Sequence, residues 1–279
     1  MPDFRVPRAP RPVPRFLMCR PTHYTIAYEI NPWMSLKRQV NRARALAQWE
    51  RLHRLLTTTL KTTVRLLPPR PGVPDLVFTA NAGLVSGRTV IRSNFRYAQR
   101  RREEPIVERY FARAGFRVAH LSAHYNFEGE GDALWLGDTL VFGFRFRSDE
   151  PAHEELARLV QARVLPVELA DRRFYHLDTC FCPLDAKTAL WFPRAFDRYG
   201  RKVLERLVQD PIGVSERDAV KFVCNAVVIG RSIVLQEGVS PSLRRQLSRR
   251  RFELYPVDLS EFLKAGGSAK CLVLKLSST

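Results

Sequence analysis

The chain has 279 residues, 45% of them hydrophobic, enough for one large domain or two small ones around a buried core. No apolar run reaches the roughly 18 residues of a membrane span, and the N-terminal "MPDFRVPRAPRPVPRF" lacks the apolar centre of a signal peptide, so a cytoplasmic address with no membrane contact is expected. The formal charge of +18 is carried mostly by arginines spread along the chain, clustered at 100–102 and 244–251; without a nucleic-acid motif it reads as a solvated basic surface, with a polyanion contact as the alternative.

Residues 1–15, rich in Pro and Arg, read as a basic extended arm, and 16–279 as a single domain. Along that domain one unit recurs: a helix with an apolar stripe, a short strand, then two strands joined by a tight turn. Its copies are "LVFTANAGLVSGRTVIRS" (76–93), "GDALWLGDTLVFGF" (131–144), "LDTCFCPLDAKTALWF" (177–192), "VKFVCNAVVIGRSIVLQ" (220–236) and "GGSAKCLVLKL" (266–276). Turns at Ser86-Gly87, Gly137-Asp138, Asp185-Ala186 and Gly230 fall roughly 45 to 50 residues apart, the spacing of propellers and solenoids. Ala45, Trp49, Leu52 and Leu56 share one helical face; Ile106, Tyr110 and Ala114 share another, on a helix stopped by Gly115. Further stripes occupy 151–162, 197–208 and 241–248. Five strand-rich units alternating with helices predict an α/β ring with the helices outside, closed by a strand around Phe16–Arg20.

The stretch "FYHLDTCFC" (174–182) reads as a strand whose period of two sets His176, Asp178, Cys180 and Cys182 on one face. Zinc would suit such ligands, but one Cys-x-Cys without a second pair is poor support, and no metal is expected. A core strand explains the two thiols and leaves His176 and Asp178 in need of buried partners. In "NFEGEGDAL" the acids Glu128, Glu130 and Asp132 alternate with glycines; alone they read as a solvated turn, with Asp132 capping the strand start. Cys271 follows two glycines and is either a nucleophile or the first core residue of an apolar strand. The odd count of five cysteines, with no CxxC spacing, favours reduced thiols. Together Glu128, His176 and Cys271 offer an orienting acid, a base and a nucleophile, each at the mouth of a strand in a different unit.

These segments carry a resemblance. "MCRPTHY…INPWM", "PDLVFTANAGLV", "FEGEGDAL", "FYHLDTCFCPL" and "EFLKAGGSAKC", spread from about residue 17 to the end, resemble the guanidino-group-modifying enzymes: arginine deiminase, dimethylarginine dimethylaminohydrolase, the amidinotransferases and, most of all, arginine dihydrolase. The resemblance implies a five-bladed pseudo-symmetric α/β propeller of ββαβ-like repeats, the pentein fold. It implies Cys271 as nucleophile, His176 as general acid and base, and Glu128 as the acid paired with the histidine. The deiminase spacing is one residue shorter, which brings Glu130 in as a contributor. Asp178 matches the acid that holds guanidinium nitrogens, Arg100 and Arg147 the positions that hold a substrate carboxylate, and Asp75 either binds substrate or caps a turn.

Asn81 in "FTANAG" departs from the aspartate of deiminases and amidinotransferases and is shared with arginine dihydrolases. An amide both donates and accepts, so it would tolerate the neutral ureido group of citrulline and allow a second hydrolysis, unless it only caps a turn. The expectation is a cofactor-free hydrolase acting on a small guanidino molecule, arginine or a derivative, giving ornithine, ammonia and carbon dioxide. A deiminase, a dimethylarginine hydrolase, an amidinotransferase and a non-enzymatic polyanion binder are the alternatives, and the oligomeric state is left open.

Overall fold

A computed structural model describes residues 15–276. The first strand, β1 (Arg15–Cys19), starts on the last residue assigned to the arm, whose other residues lie outside the described part. After the helix Arg42–Arg54 comes β2 (Thr63–Leu67), parallel to β1. The same grammar then repeats: an antiparallel hairpin, a helix, and a third strand parallel to the second. Its copies are β3 (Gly83–Ser86), β4 (Thr89–Arg92) and β5 (Arg117–Ala119), then β6 (Ala133–Leu136), β7 (Thr139–Phe144) and β8 (Arg163–Glu168). They continue with β9 (Phe181–Pro183), β10 (Thr188–Trp191) and β11 (Asp210–Gly213), then β12 (Val227–Ile229), β13 (Ser232–Gln236) and β14 (Glu253–Val257). Finally β15 (Leu274–Lys275) pairs antiparallel with β1, so the expected N-terminal strand does complete the last unit. Five three-stranded sheets form the pentein ring.

The hairpins turn where the sequence asks for positive φ: Gly87, Gly137 and Gly230 lie at +58°, +60° and +59°, which places the first turn at Gly87-Arg88, one residue later than read. The helix Arg42–Arg54 buries Ala45, Trp49 and Leu52 as its stripe dictates. Its neighbour Glu104–Arg113 differs from the reading: Val107 and Phe111 face the core, while Ile106 and Tyr110 pack partly exposed at the flank. The branched and aromatic residues at 106, 107, 110 and 111 define two overlapping stripes, and the larger burial of Phe111 selects the second. Among the described residues no helix is long and apolar enough to cross a membrane.

Candidate active site

Each hairpin is entered through a tight turn: 79–82, 129–131 and 177–179 as 3₁₀ turns, then 221–224 and 269–272. The five turns are tied to one another in sequence around the ring. Asn81 Nδ2 lies 3.4 Å from the Glu128 carbonyl, Leu177 N donates to Asp132 Oδ1 at 3.1 Å, and Asn225 Nδ2 to the Asp178 carbonyl at 3.2 Å. Lys270 N then donates to the Asn225 carbonyl at 3.2 Å, and Ala80 N to the Cys271 carbonyl at 3.1 Å, closing the circle. The glycines of "GEGD" make the first link sterically feasible. A Cβ on Gly129 would sit 2.7 Å from the Gly83 backbone, and one on Gly131 2.4 Å from Asn81 Nδ2.

This geometry corrects the reading of "FYHLDTCFC" as one strand. Only Phe181–Pro183 is a strand; Leu177–Thr179 is a 3₁₀ turn that holds Asp178, with His176 as the extended residue before it, so strand alternation presents neither. The acids of "NFEGEGDAL" are buried rather than solvated. Asp132 does not cap its own strand: it accepts from Leu177 N and from the Ser148 hydroxyl, which pins the histidine turn. Cys271 sits in a turn three residues before β15, and Gly267, one of the two glycines before it, packs against Phe78, whose ring lies 2.5 Å from where a Cβ would be.

Glu128, not Glu130, is the carboxylate on the histidine. Its Oε2 accepts from His176 Nε2 and from Arg147, each at 2.9 Å, while Glu130 pairs with Lys270 at 2.8 Å. Burial alone would raise the Glu128 pKa, but Arg147 and His176 together bring it down to about 2. Burial holds His176 down to about 4 against the pull of Glu128. The ring is therefore neutral near pH 7, with its proton on Nε2 because the ionised carboxylate can only accept. Nδ1 is left as a bare acceptor, buried and without a hydrogen-bond partner.

Asp178 faces the nucleophile. Its Oδ2 is 3.5 Å from Cys271 Sγ and its Oδ1 is buried without a partner. Burial raises its pKa to about 7, against the opposing charge of Lys270. Burial, and then the Asp178 charge, also push the Cys271 thiol up.

Cys271, Asn81, Asp75, Arg100, Arg147 and Tyr175 line one cavity of about 250 Å³. Both arginines stand on its wall already paired. Arg100 is gripped by Glu103 through two 2.8 Å bonds and donates to Asn81 Oδ1 at 2.9 Å. Arg147 is bound to Glu128 and the Ile30 carbonyl, between the rings of Tyr97 and Tyr175 at 4.8 and 4.6 Å. Asp75 and Asn81 cap no turn with their side chains: Asp75 Oδ2 accepts from the Tyr28 hydroxyl at 2.9 Å, and its Oδ1 is buried without a partner. A larger cavity of about 670 Å³, lined by Phe16, Trp135, Phe181 and Lys270, does not reach Cys271, so chemistry and not size selects the site.

The sequence reading missed Asn225, Tyr28, Tyr175 and Lys270, and gave "INPWM" (30–34) no role beyond the resemblance. Asn225 stands in the recurring unit at the same distance before its strand as Asn81, two residues, and that register was a usable signal. Nothing local distinguishes Tyr28 or Ile30, which reach the site from a segment without regular structure.

The chain matches the family described as N,N dimethylarginine dimethylhydrolase, eukaryotic, over residues 22–278. It is 44% identical over 268 residues to the bifunctional arginine dihydrolase/ornithine cyclodeaminase AgrE of Nostoc sp., covering 94% of this chain and 38% of that one. It is 38% identical over 269 residues to the N(G),N(G)-dimethylarginine dimethylaminohydrolase of Mycobacterium tuberculosis, covering 96% of this chain and 87% of that one. The N-terminal domain of ArgZ, a cyanobacterial arginine dihydrolase, crystallised as a cysteine-to-serine mutant with substrate, matches with a TM-score of 0.91 and 43% identity over 95% of this chain and 98% of that one. The chain thus spans about two fifths of the bifunctional relatives and nearly all of the isolated ArgZ domain. By its match over almost its whole length, the chain belongs to the N,N-dimethylarginine dimethylhydrolase family.

Proposed function

We propose that the protein hydrolyses the guanidinium group of arginine twice, releasing ornithine, two ammonia and carbon dioxide. The observation that carries this reading is the pairing of two buried carboxylates of opposite character, Glu128 on His176 and Asp178 on Cys271, with Cys271 and an asparagine, Asn81, on the wall of one cavity. A planar cation with a fan of N–H donors suits the bare oxygens of Asp178 and Asp75. Its charge also supplies what burial withholds from Cys271, a neighbouring cation that favours the thiolate.

His176 takes the Cys271 proton onto Nδ1 as the sulfur adds to the guanidinium carbon and passes it to the departing nitrogen; the C–N bond breaks, ammonia leaves and a covalent S-alkylthiouronium remains. His176 then takes a proton from water, which adds to the same carbon; the C–S bond breaks and citrulline forms. In a second round the thiolate displaces ammonia from the ureido carbon, and hydrolysis of the resulting thiocarbamate yields a carbamate that loses carbon dioxide. Asn81 permits this round because its NH₂ can donate to the ureido oxygen, where an aspartate would repel it. Arg100 and Arg147 hold the carboxylate end of the substrate, and no metal or cofactor enters the scheme. Five free buried or partly enclosed thiols suit a reducing, cytoplasmic setting.

The family description and the mycobacterial relative favour one second reading, release of dimethylamine from N,N-dimethylarginine. Counting ammonia per arginine and per citrulline, and dimethylamine per dimethylarginine, separates the two. Two ammonia per arginine and one per citrulline are expected from the wild type and none from Cys271→Ser, with Cys182→Ser near normal. Arrest at citrulline would replace the dihydrolase with a deiminase, and turnover of dimethylarginine alone would favour the second reading.

A further inference from the structure

We propose that Asn225 is a further catalytic residue, which orients Cys271 and donates a hydrogen bond to its sulfur so that the thiolate is favoured. This rests on Cys271 being the nucleophile, as argued above. Four of the five turns of the ring carry a residue with an assigned role; the turn before β12 carries none except Asn225, which is fully buried.

The orientation of its carboxamide follows from its partners. One side-chain atom of Asn225 meets the backbone N–H of Ser268 and that of Cys271, both at 3.1 Å. Backbone amides only donate, so this atom is Oδ1 and the other is the NH₂ group. One hydrogen of that group goes to the Asp178 carbonyl at 3.2 Å, which only accepts. The other faces Cys271 Sγ at 3.1 Å. The sulfur is therefore placed to receive, and a charged acceptor gains more from an N–H than a neutral one. The backbone of the same residue completes the clamp, its carbonyl accepting from Lys270 N at 3.2 Å.

Three other thiols, those of Cys19, Cys180 and Cys182, meet backbone carbonyls, of Arg20, of His176 and Leu177, and of Pro183 and Ala226. A carbonyl can only accept, so it favours the protonated sulfur. Cys271 shares one thiol-favouring contact, to Asp178, but adds to it a side-chain amide N–H directed at its sulfur.

The test is the pH dependence of Cys271 alkylation by iodoacetamide, followed by peptide mass spectrometry on the full chain, with arginine kinetics in parallel. Asn225→Asp keeps the shape and the Oδ1 contacts but turns an oxygen toward the sulfur; Asn225→Ala removes the group. Each should move the alkylation midpoint up by at least about one pH unit, roughly a tenfold loss of thiolate near neutrality. Each should also lower kcat by about 10- to 100-fold while KM changes less than about threefold. If Asn225→Ala does not fold, the isosteric Asn225→Asp decides the matter, with its melting temperature as the control. An unchanged alkylation midpoint in a folded variant, with any loss of rate confined to KM or stability, would overturn the proposal and leave Asn225 a structural clamp. Failure of the underlying reading looks different: Cys271→Ser would then keep its turnover, whatever the alkylation midpoint does.

Discussion

Glu128 and Asp178 are both fully buried carboxylates on neighbouring turns of one ring, yet their environments push them in opposite directions, down to about 2 and up to about 7. Glu128 has two cationic or hydrogen-bonding partners at 2.9 Å and is satisfied by the protein itself. Asp178 has one long contact to a thiol and an oxygen with no partner. The comparison separates a carboxylate that holds the site together from one that waits for a cation: burial is equal, and only the count of donors differs.

Removing each charge in turn should break the comparison most sharply. Asp178→Asn is expected to lower kcat/KM for arginine by about 10³-fold or more, since a ligand for the cation is lost. The same change should stabilise the fold at pH 8. The raised pKa of Asp178 means that its neutral form contributes stability that is fully present below its ordinary value of 3.8 and is lost as the pH rises through about 7. The asparagine keeps that neutral form at every pH, so the fold should be more stable at pH 8 by on the order of 1–4 kcal/mol, read as a higher melting temperature, and the gain should vanish below pH 4. A destabilised variant at pH 8 would refute the view that this carboxylate is strained.

Glu128→Gln should do the reverse to stability. It strands Arg147 without its buried counter-charge, a loss of about 3–5 kcal/mol, and it frees the His176 ring, lowering kcat by about 10²-fold. In the wild type the depressed pKa makes the Glu128 contribution present above its ordinary value of 4.5 and lost as the pH falls through about 2. Acid unfolding in that window should therefore shrink in the variant, which urea titrations between pH 2 and 5 would detect. Equal acid sensitivity in both proteins would assign the transition to other carboxylates.

Asn81→Asp is the mildest change, because it adds an anion facing Arg100 and a bound guanidinium. Arginine should still lose its first ammonia within about tenfold of the normal rate, while citrulline accumulates, each carboxylate-to-carbonyl contact costing about 1–3 kcal/mol in a dry site. Chromatography of products against time would show the shift from ornithine to citrulline. A variant that still makes ornithine at the wild-type rate would remove Asn81 from the account of the second hydrolysis.

The hairpins of the ring were legible because glycine at positive φ and a repeat of fixed spacing are strong local signals, and Gly87, Gly137 and Gly230 stand where they are needed. The three-residue turns were not. A 3₁₀ turn such as Leu177–Thr179 is too short to show a period, so the alternation of "HLDTCFC" imitated a strand. The residues of the site were recognised by chemical type, which finds an isolated His or Cys among apolar neighbours and overlooks an Asn between Cys224 and Ala226. The choice between Glu128 and Glu130 needed space as well as sequence, since the two differ only in which neighbour the turn aims them at: His176 for one, Lys270 for the other.

The circle of turns also has a kinetic meaning. Cys271 meets the Asp178 carboxylate and the Asn225 amide through contacts spanning 93 and 46 residues along the chain, and its carbonyl closes onto Ala80 across most of the described length. Contacts so remote in sequence come after the local hairpins, because chain entropy must be overcome before they yield any gain. A partly folded chain therefore has its helices and its four locally built sheets in hand but a thiol with neither its acid nor its amide. Reactivity arrives as the final event of folding, and a damaged ring loses it all at once.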